Sequence, residues 1–259
     1  MAGVLFDEVV FGPIKSRRFG VSLGINLLPL HGKLCSFNCI YCECGLNENY
    51  KKEKQKLFTA EEIALSLRSR FVALKSGGLN PDNITFAGNG EPTLHPEFEA
   101  IIDNALSLRD EFFPKAKITV LSNATRLDRE NVKKALLKID NNVLKLDAGT
   151  NATFQAINRP NNTITLEKVI DGLKSFGGNL TIQTMLIRGD VEGKLVDNTT
   201  KAELALWLKH IEEIKPKLVM LYPIDRQTPY NTLEKVPEAE FQALAARIEA
   251  LGINAEVFY

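Results

Sequence analysis

The sequence predicts an α/β protein on a mainly parallel sheet, arranged as a (β/α)6 partial TIM barrel. Three observations carry that prediction. Short apolar runs alternate with segments of helical period about six times along the chain. Such alternation means parallel strands joined by right-handed crossovers. The number of repeats falls short of the eight units of a closed barrel. A doubly wound open sheet has the same periodicity and stands as the alternative.

The expected strands are Val21–Leu28, Asn83–Ala87, Lys117–Leu121, Val143–Leu146, Leu180–Leu186, Leu218–Leu221 and Ala255–Phe258. Several are continuous apolar stretches, as strands covered on both faces should be. The first helix opens on a capping box, Thr59 with Glu62, and carries the stripe Ile63, Leu67, Phe71, Leu74. Asp128 is the expected cap of a helix bearing Val132, Ala135, Leu136 and Ile139. Thr165 caps the next, with Val169, Ile170, Leu173 and Phe176, closed by Gly177-Gly178. Leu204, Leu208, Ile211 and Ile214 line another that stops before Pro216. Pro237 starts the last, which carries Phe241, Leu244, Ile248 and Leu251. Charge-rich residues 47–56 read as a solvated loop.

The chain shows no linker, low-complexity tract or fixed-period repeat, and 259 residues is near the limit of a single core. One domain over 1–259 is expected, with 1–20 as an N-terminal extension and 225–259 as terminal strand and helix elements. Basic and acidic residues balance at 32 each, which argues against a broad nucleic-acid-binding surface. The exception is a basic stretch, Lys15–Arg18, inside a lead-in running from Phe11 to Gly20. Asp7 and Glu8 interrupt the opening apolar residues, so no secretory leader is expected. No apolar run approaches the ~20 residues of a membrane helix. All four cysteines fall between Cys35 and Cys44, a metal-site clustering that suits a reducing cytoplasm.

The chemistry starts at Cys35-Ser36-Phe37-Asn38-Cys39-Ile40-Tyr41-Cys42, the loop after the first expected strand. Three thiolates in C-x3-C-x2-C spacing can hold three irons of a cubane cluster and leave the fourth open. An open iron suits reductive chemistry on a bound ligand, whereas electron carriers close the cluster with a fourth cysteine. The alternative is a zinc-stabilised interaction protein, with Cys44 or His31 as fourth ligand. Structural zinc usually recruits two separated ligand pairs, however, not one short loop.

Ligands of parallel α/β proteins sit at the carboxyl ends of the strands, and polar groups recur there. Gly88-Asn89-Gly90-Glu91-Pro92 follows the second expected strand, and Ser122-Asn123 follows the third. Asp147 ends the fourth, a costly place for a carboxylate unless Lys145 or a ligand meets it. Gln183 lies on the fifth strand, with Ile187 just beyond it, and Tyr222 ends the sixth.

The cysteine loop with these strand-end motifs resembles the radical S-adenosylmethionine (SAM) superfamily, from about Ser16 to Pro223. The resemblance implies one [4Fe-4S] cluster on Cys35, Cys39 and Cys42, with SAM chelating the open iron through its methionine group. Reductive cleavage of SAM then gives a 5′-deoxyadenosyl radical that abstracts hydrogen from a substrate. It further implies that Tyr41 lies by the adenine and that Gly88, Asn89, Gly90 and Glu91 position the methionine amino group. Ser122 and Asn123 bind SAM polar groups, Asp147 contacts the ribose hydroxyls or the substrate, Gln183 the ribose or the carboxylate, and Ile187 and Tyr222 pack on adenine. Cys44 is read as a bystander. Arg159 and Arg226 are candidate anchors for an acidic substrate or the SAM carboxylate. An electron donor of flavodoxin or ferredoxin type is implied. The Ser-Arg-Arg lead-in and Cys42-Glu43-Cys44-Gly45 resemble the branch of the wyosine-type tRNA synthases, and the short chain resembles compact glycyl-radical-enzyme activases. A small molecule, a protein or a tRNA all remain open as substrate.

Overall fold

The computed structural model describes residues 3–47, 56–161 and 163–259. From the amino end the chain forms β1 (Val10–Ser16), β2 (Gly20–Ile25), α1 (Ala60–Ser76), β3 (Asn83–Phe86), α2 (Phe98–Phe112), β4 (Lys117–Ser122), α3 (Glu130–Lys138) and β5 (Asn141–Lys145). It continues through α4 (Asn151–Asn158), α5 (Leu166–Lys174), β6 (Thr181–Met185), β7 (Arg188–Val191), β8 (Lys194–Asp197), α6 (Lys201–Ile214), β9 (Leu218–Tyr222), β10 (Leu233–Glu234), α7 (Glu238–Glu249) and β11 (Asn254–Val257).

Eight strands make the main sheet in the order β1-β2-β3-β4-β5-β6-β9-β11. Every pairing from β2 onward is parallel, and β1 alone runs antiparallel. The order follows the chain without the reversal that defines a doubly wound sheet, so the partial barrel is the fold. A small antiparallel sheet of β10, β7 and β8 stands beside it.

Strand alternation gives this sheet two unlike faces. Leu23, Ile25, Ile84, Phe86, Ile118, Val120, Leu144, Ile182, Val219 and Leu221 point one way and have no exposed surface. That apolar face packs under the helices. The residues between them, such as Ser22, Gly24, Thr85, Ala87, Gln183 and Tyr222, line interior cavities. The central strands are covered on both faces, as expected, but the two faces differ in character. The inner side mixes polar residues with Leu121, Val143, Met185 and Tyr222, and its polar groups border the cavities.

The capping box of Thr59 and Glu62 forms, and Thr165 caps α5. Asp128 caps nothing: α3 begins one residue later, with Arg129 in the cap position and no side-chain bond to it. Pro237 is the residue before α7 rather than its first. Strand β2 ends at Ile25, short of the expected Leu28, because Asn26 Oδ1 accepts from Leu28 N and Asn26 Nδ2 donates back to Leu28 O. Most of the expected loop at 47–56 lies outside the described residues. Elements missing from the sequence reading are β1, α2, α4 and the small sheet. The lead-in from Phe11 to Gly20 is in fact the body of the β1–β2 hairpin. Gly24 is fixed there by sterics, since a Cβ on it would fall 2.1 Å from the Phe11 ring. Among the described residues no helix is long and apolar enough to cross a membrane.

Candidate active site

The cysteine loop leaves β2 and is pinned from two sides. Leu34 bridges to Gly90 beyond β3, and Phe37 bridges to Pro160 beyond α4. Gly90 permits the first contact, since its φ is +139° and a Cβ would fall 1.9 Å from Leu34 O. The second is reinforced by backbone bonds from Asn38 N to Asn158 O and from Ile40 N to Ile157 O. Phe37 also meets the Phe154 ring edge-on at 5.4 Å.

Cys35, Cys39 and Cys42 line one cavity of about 280 Å³ at the carboxyl ends of the strands. Phe37 N donates to Cys35 Sγ at 3.4 Å, and Asn123 Nδ2 and Asn158 Nδ2 each donate to a cysteine sulfur at 3.6 Å. Donors of this kind stabilise anionic sulfur and tune a cluster. Burial pushes the Cys35 thiol up to about 12 and the Cys39 thiol up to about 11. Cys42 is pulled down, first by the neighbouring Cys44 thiol and then by Lys33. Among the described residues no group of three or more His, Cys, Asp or Glu side chains stands ready around a single point. Cys44 borders the same cavity beside Cys42, and the three thiols of the C-x3-C-x2-C loop, with N–H donors on Cys35 and Cys39, fit an iron–sulfur cluster.

Of the other expected residues, Tyr41, Gly88, Gly90, Glu91, Ser122, Asn123, Gln183 and Tyr222 border the same cavity. Glu91 ties three of these positions together. Its Oε1 accepts from Thr93 N, Thr93 Oγ1 and Ser122 Oγ, and its Oε2 accepts from Asn123 N at 2.6 Å. Burial raises its pKa against the pull of these donors.

Asp147 sits behind the wall and organises it. Oδ2 accepts from Tyr41 Oη and from Asn158 Nδ2 at 2.9 Å, and Oδ1 accepts from Met185 N at 3.0 Å. Lys145 Nζ lies 3.6 Å from the same carboxylate and donates to both Tyr41 Oη and Tyr222 Oη. Burial alone would lower the Lys145 pKa, but Asp147, Tyr222 and Cys39 reverse that and raise it, so the ammonium stays charged. Burial and the adjacent Asp147 raise Tyr41 in turn, so the phenol remains a donor.

Four expected residues lie elsewhere. Asn89 is fully buried, exchanging hydrogen bonds with Phe6 and donating to Pro29 O. Ile187 is also fully buried, with its N–H donating to Asn198 Oδ1, and Met185 takes the cavity wall instead. Arg159 ends α4 in a left-handed conformation and turns away to Tyr230 Oη and Glu192. Arg226 pairs with Glu43 beside an adjoining cavity.

Residues that the sequence reading did not assign to this cavity also matter. Lys33 and Arg18 line the cysteine cavity, and Asn158 reaches it from behind. Glu203 accepts from Gly149 N, Thr150 N and Thr150 Oγ1, which fixes the turn after Asp147. Asn158 stood next to the arginine the sequence favoured, and only the cap geometry separates the two.

Residues 30–199 match the Radical SAM superfamily. The UPF0026 protein of Methanocaldococcus jannaschii is 33% identical over 95% of this chain and 73% of its own length. The GTPase Obg of Brachyspira hyodysenteriae is 32% identical over 93% of this chain, yet the chain spans only 33% of that relative. This sequence contains no G-x4-G-K-[ST] phosphate loop. A radical SAM methyltransferase from Sphaerobacter thermophilus superposes with a TM-score of 0.66 at 18% identity, covering 92% of this chain and 66% of that one. That last likeness is one of fold.

Proposed function

The chain belongs to the radical SAM superfamily, and from that membership we propose how its residues divide the work. Its cofactors are a [4Fe-4S] cluster and SAM, which together supply an electron and a carbon-centred radical able to remove hydrogen from a substrate. Cys35, Cys39 and Cys42 hold the cluster. Gly88, Gly90, Ser122, Asn123, Gln183 and Tyr222 form the SAM pocket, with Tyr41 beside the adenine. Glu91 orients Ser122 and Asn123 and offers the remaining capacity of Oε2 to the SAM ammonium. Asn89, Asp147 and Ile187 act from behind the wall, Asp147 by holding Tyr41 and Lys145 in register.

The observation that carries this reading is the three thiols of one short loop on a common cavity with Gly90, Glu91 and Ser122. We read residues 1–259 as one domain, reduced in the cytoplasm by a flavodoxin- or ferredoxin-type donor. Among finer branches, a tRNA-modifying enzyme has the weaker support. Arg17 pairs with Asp225 and Arg226 with Glu43, so two of the cations that would meet phosphates are already neutralised. A protein substrate, as for an activase, or a small molecule fits the walled cavities better.

Anaerobic reconstitution with iron and sulfide tests the proposal. The brown protein should convert SAM to 5′-deoxyadenosine and methionine on reduction with dithionite. An intact cluster spectrum with no 5′-deoxyadenosine would remove it.

A further inference from the structure

A second cavity, of about 370 Å³, adjoins the cysteine cavity. One wall is the β1–β2 hairpin, and the other is Pro223, Asp225 and Arg226 after β9 together with Phe258 after β11. β1 and β11 are the two edges of the sheet, so this cavity fills the lateral gap of the partial barrel. Gly88, Met185, Tyr222 and Arg18 line both cavities, which therefore share a wall.

Among the described residues, the charges across the gap leave two cations outside any ion pair, exposed Lys15 and half-buried Arg18. Arg17 Nη2 pairs with Asp225 at 2.9 Å, and Arg226 Nη1 pairs with Glu43 at 2.8 Å. Both carboxylates of the wall are thus engaged. Arg18 lies between these pairs with its guanidinium 5.2 Å from the Phe19 ring centre and 5.5 Å from that of Tyr222. Its Nη1 is buried and has no hydrogen-bond partner among the described residues. A buried donor left without a partner is costly, and a guanidinium more so. Burial accordingly pulls the Arg18 pKa below its ordinary value. Apart from exposed Lys15, the rest of the lining is uncharged and largely apolar, with Phe6, Phe11, Phe19 and Phe258 among it. Phe6 and Phe11 stack at 3.8 Å, and the Ser22 and Thr85 hydroxyls bond each other at 2.7 Å.

We propose that Arg18 anchors the substrate in this lateral cavity by gripping an oxyanion, a carboxylate or a phosphate, on a molecule with a flat apolar body. The inference rests on the proposed function, which places the reactive centre across the shared wall. A planar guanidinium held by two ring faces offers a two-pronged grip that suits either oxyanion. The Phe6–Phe11 pair and Phe19 supply the surface for the body.

The test titrates phenyl phosphate, benzoate and benzyl alcohol calorimetrically into the anaerobically reconstituted, SAM-loaded protein. One of the two acids should bind about tenfold or more tightly than the alcohol, and the better of them names the oxyanion. Arg18→Gln should weaken acid binding by about tenfold, and Arg18→Lys by less, since an ammonium keeps the charge but loses the fork. Should the glutamine variant fail to fold, the lysine variant carries the test, with about a threefold loss expected. Acid binding no better than that of the alcohol, or unchanged in the variants, overturns the proposal. So does a SAM dissociation constant that rises in step with that of the acid, because Arg18 would then belong to the SAM carboxylate. A wild-type protein that forms no 5′-deoxyadenosine fails the underlying function instead, and that readout is separate from the titration.

Discussion

The two ends of the inner sheet face are both polar, yet they use their polarity in opposite ways. Toward the amino ends of the strands a neutral run of side chains bonds within itself, with Ser22 and Thr85 at the border of the lateral cavity. Ser22 meets Thr85, Asn83 Nδ2 donates to Thr85, Thr119 donates to Asn83 Oδ1, and Asn141 Nδ2 donates to Thr119. Asp140 finishes this end on the surface, accepting from Ile118 N, Arg109 and Lys117. At the carboxyl ends two buried carboxylates, Glu91 and Asp147, hold other side chains against a cavity ringed by thiols. Polar strand residues therefore do not mark a site by themselves. Charge beside open space does, because buried charge is kept only where partners or ligands repay its desolvation.

That contrast is sharpest at the cysteines. Cys39→Ala should cut iron incorporation by about tenfold or more on anaerobic reconstitution, because structural metal sites depend on their full ligand set. Iron analysis and the cluster absorption check it.

Asp147→Asn comes next. It leaves the Lys145 ammonium buried without its carboxylate and should cost about 3 kcal/mol, read from urea unfolding. A cost below about 1 kcal/mol would mean that the carboxyl end is held by packing alone.

Thr119→Val breaks the neutral chain at the other end. The Asn83 and Asn141 amides each lose a partner, and the cost should be about 1–3 kcal/mol with wild-type iron loading. Loss of iron in this variant would show that the two ends are not independent.

The smallest effect belongs to Asp140→Asn, about 1 kcal/mol near neutrality. Burial opposes ionisation of Asp140, but Ile118 N, Lys117 and Arg109 outweigh it and hold the pKa below its ordinary 3.8. Its contribution is therefore complete above that value and is lost as pH falls through the lowered one. Wild type and variant should converge in stability in strong acid, which melting curves across pH would show.

Much of the site was legible because it is local. The cysteine spacing sits in eight consecutive residues, and Glu91, Ser122 and Tyr222 each end an apolar run that periodicity identifies. Arg159 and Asn158 show where legibility stops. They are neighbours, and the sequence favoured the arginine for its charge. The left-handed turn at Arg159 sends that side chain to Glu192 and leaves Asn158 to reach Cys39 and Asp147. Helix α4 went unread for a related reason. It is short and buries only Phe154, Ile157 and Asn158, too few for a helical stripe, yet it pins the cysteine loop. Arg18 is the extreme case, since its contact with Tyr222 joins the hairpin at one edge of the sheet to β9, the strand next to the other edge.

The sequence by itself determined the class of fold and the grouping of the cysteines in one short loop. Hydrophobic period and cysteine spacing are short-range properties, and they stay readable in an extended chain. The tertiary structure decided which polar groups border the cavities and which are consumed by one another. That outcome depends on how the hairpin and the last strands meet across the gap, and on which side of each strand turns inward. Neither is encoded within any one segment, because closing the barrel brings together groups that the chain keeps some two hundred residues apart, as it does Arg17 and Asp225.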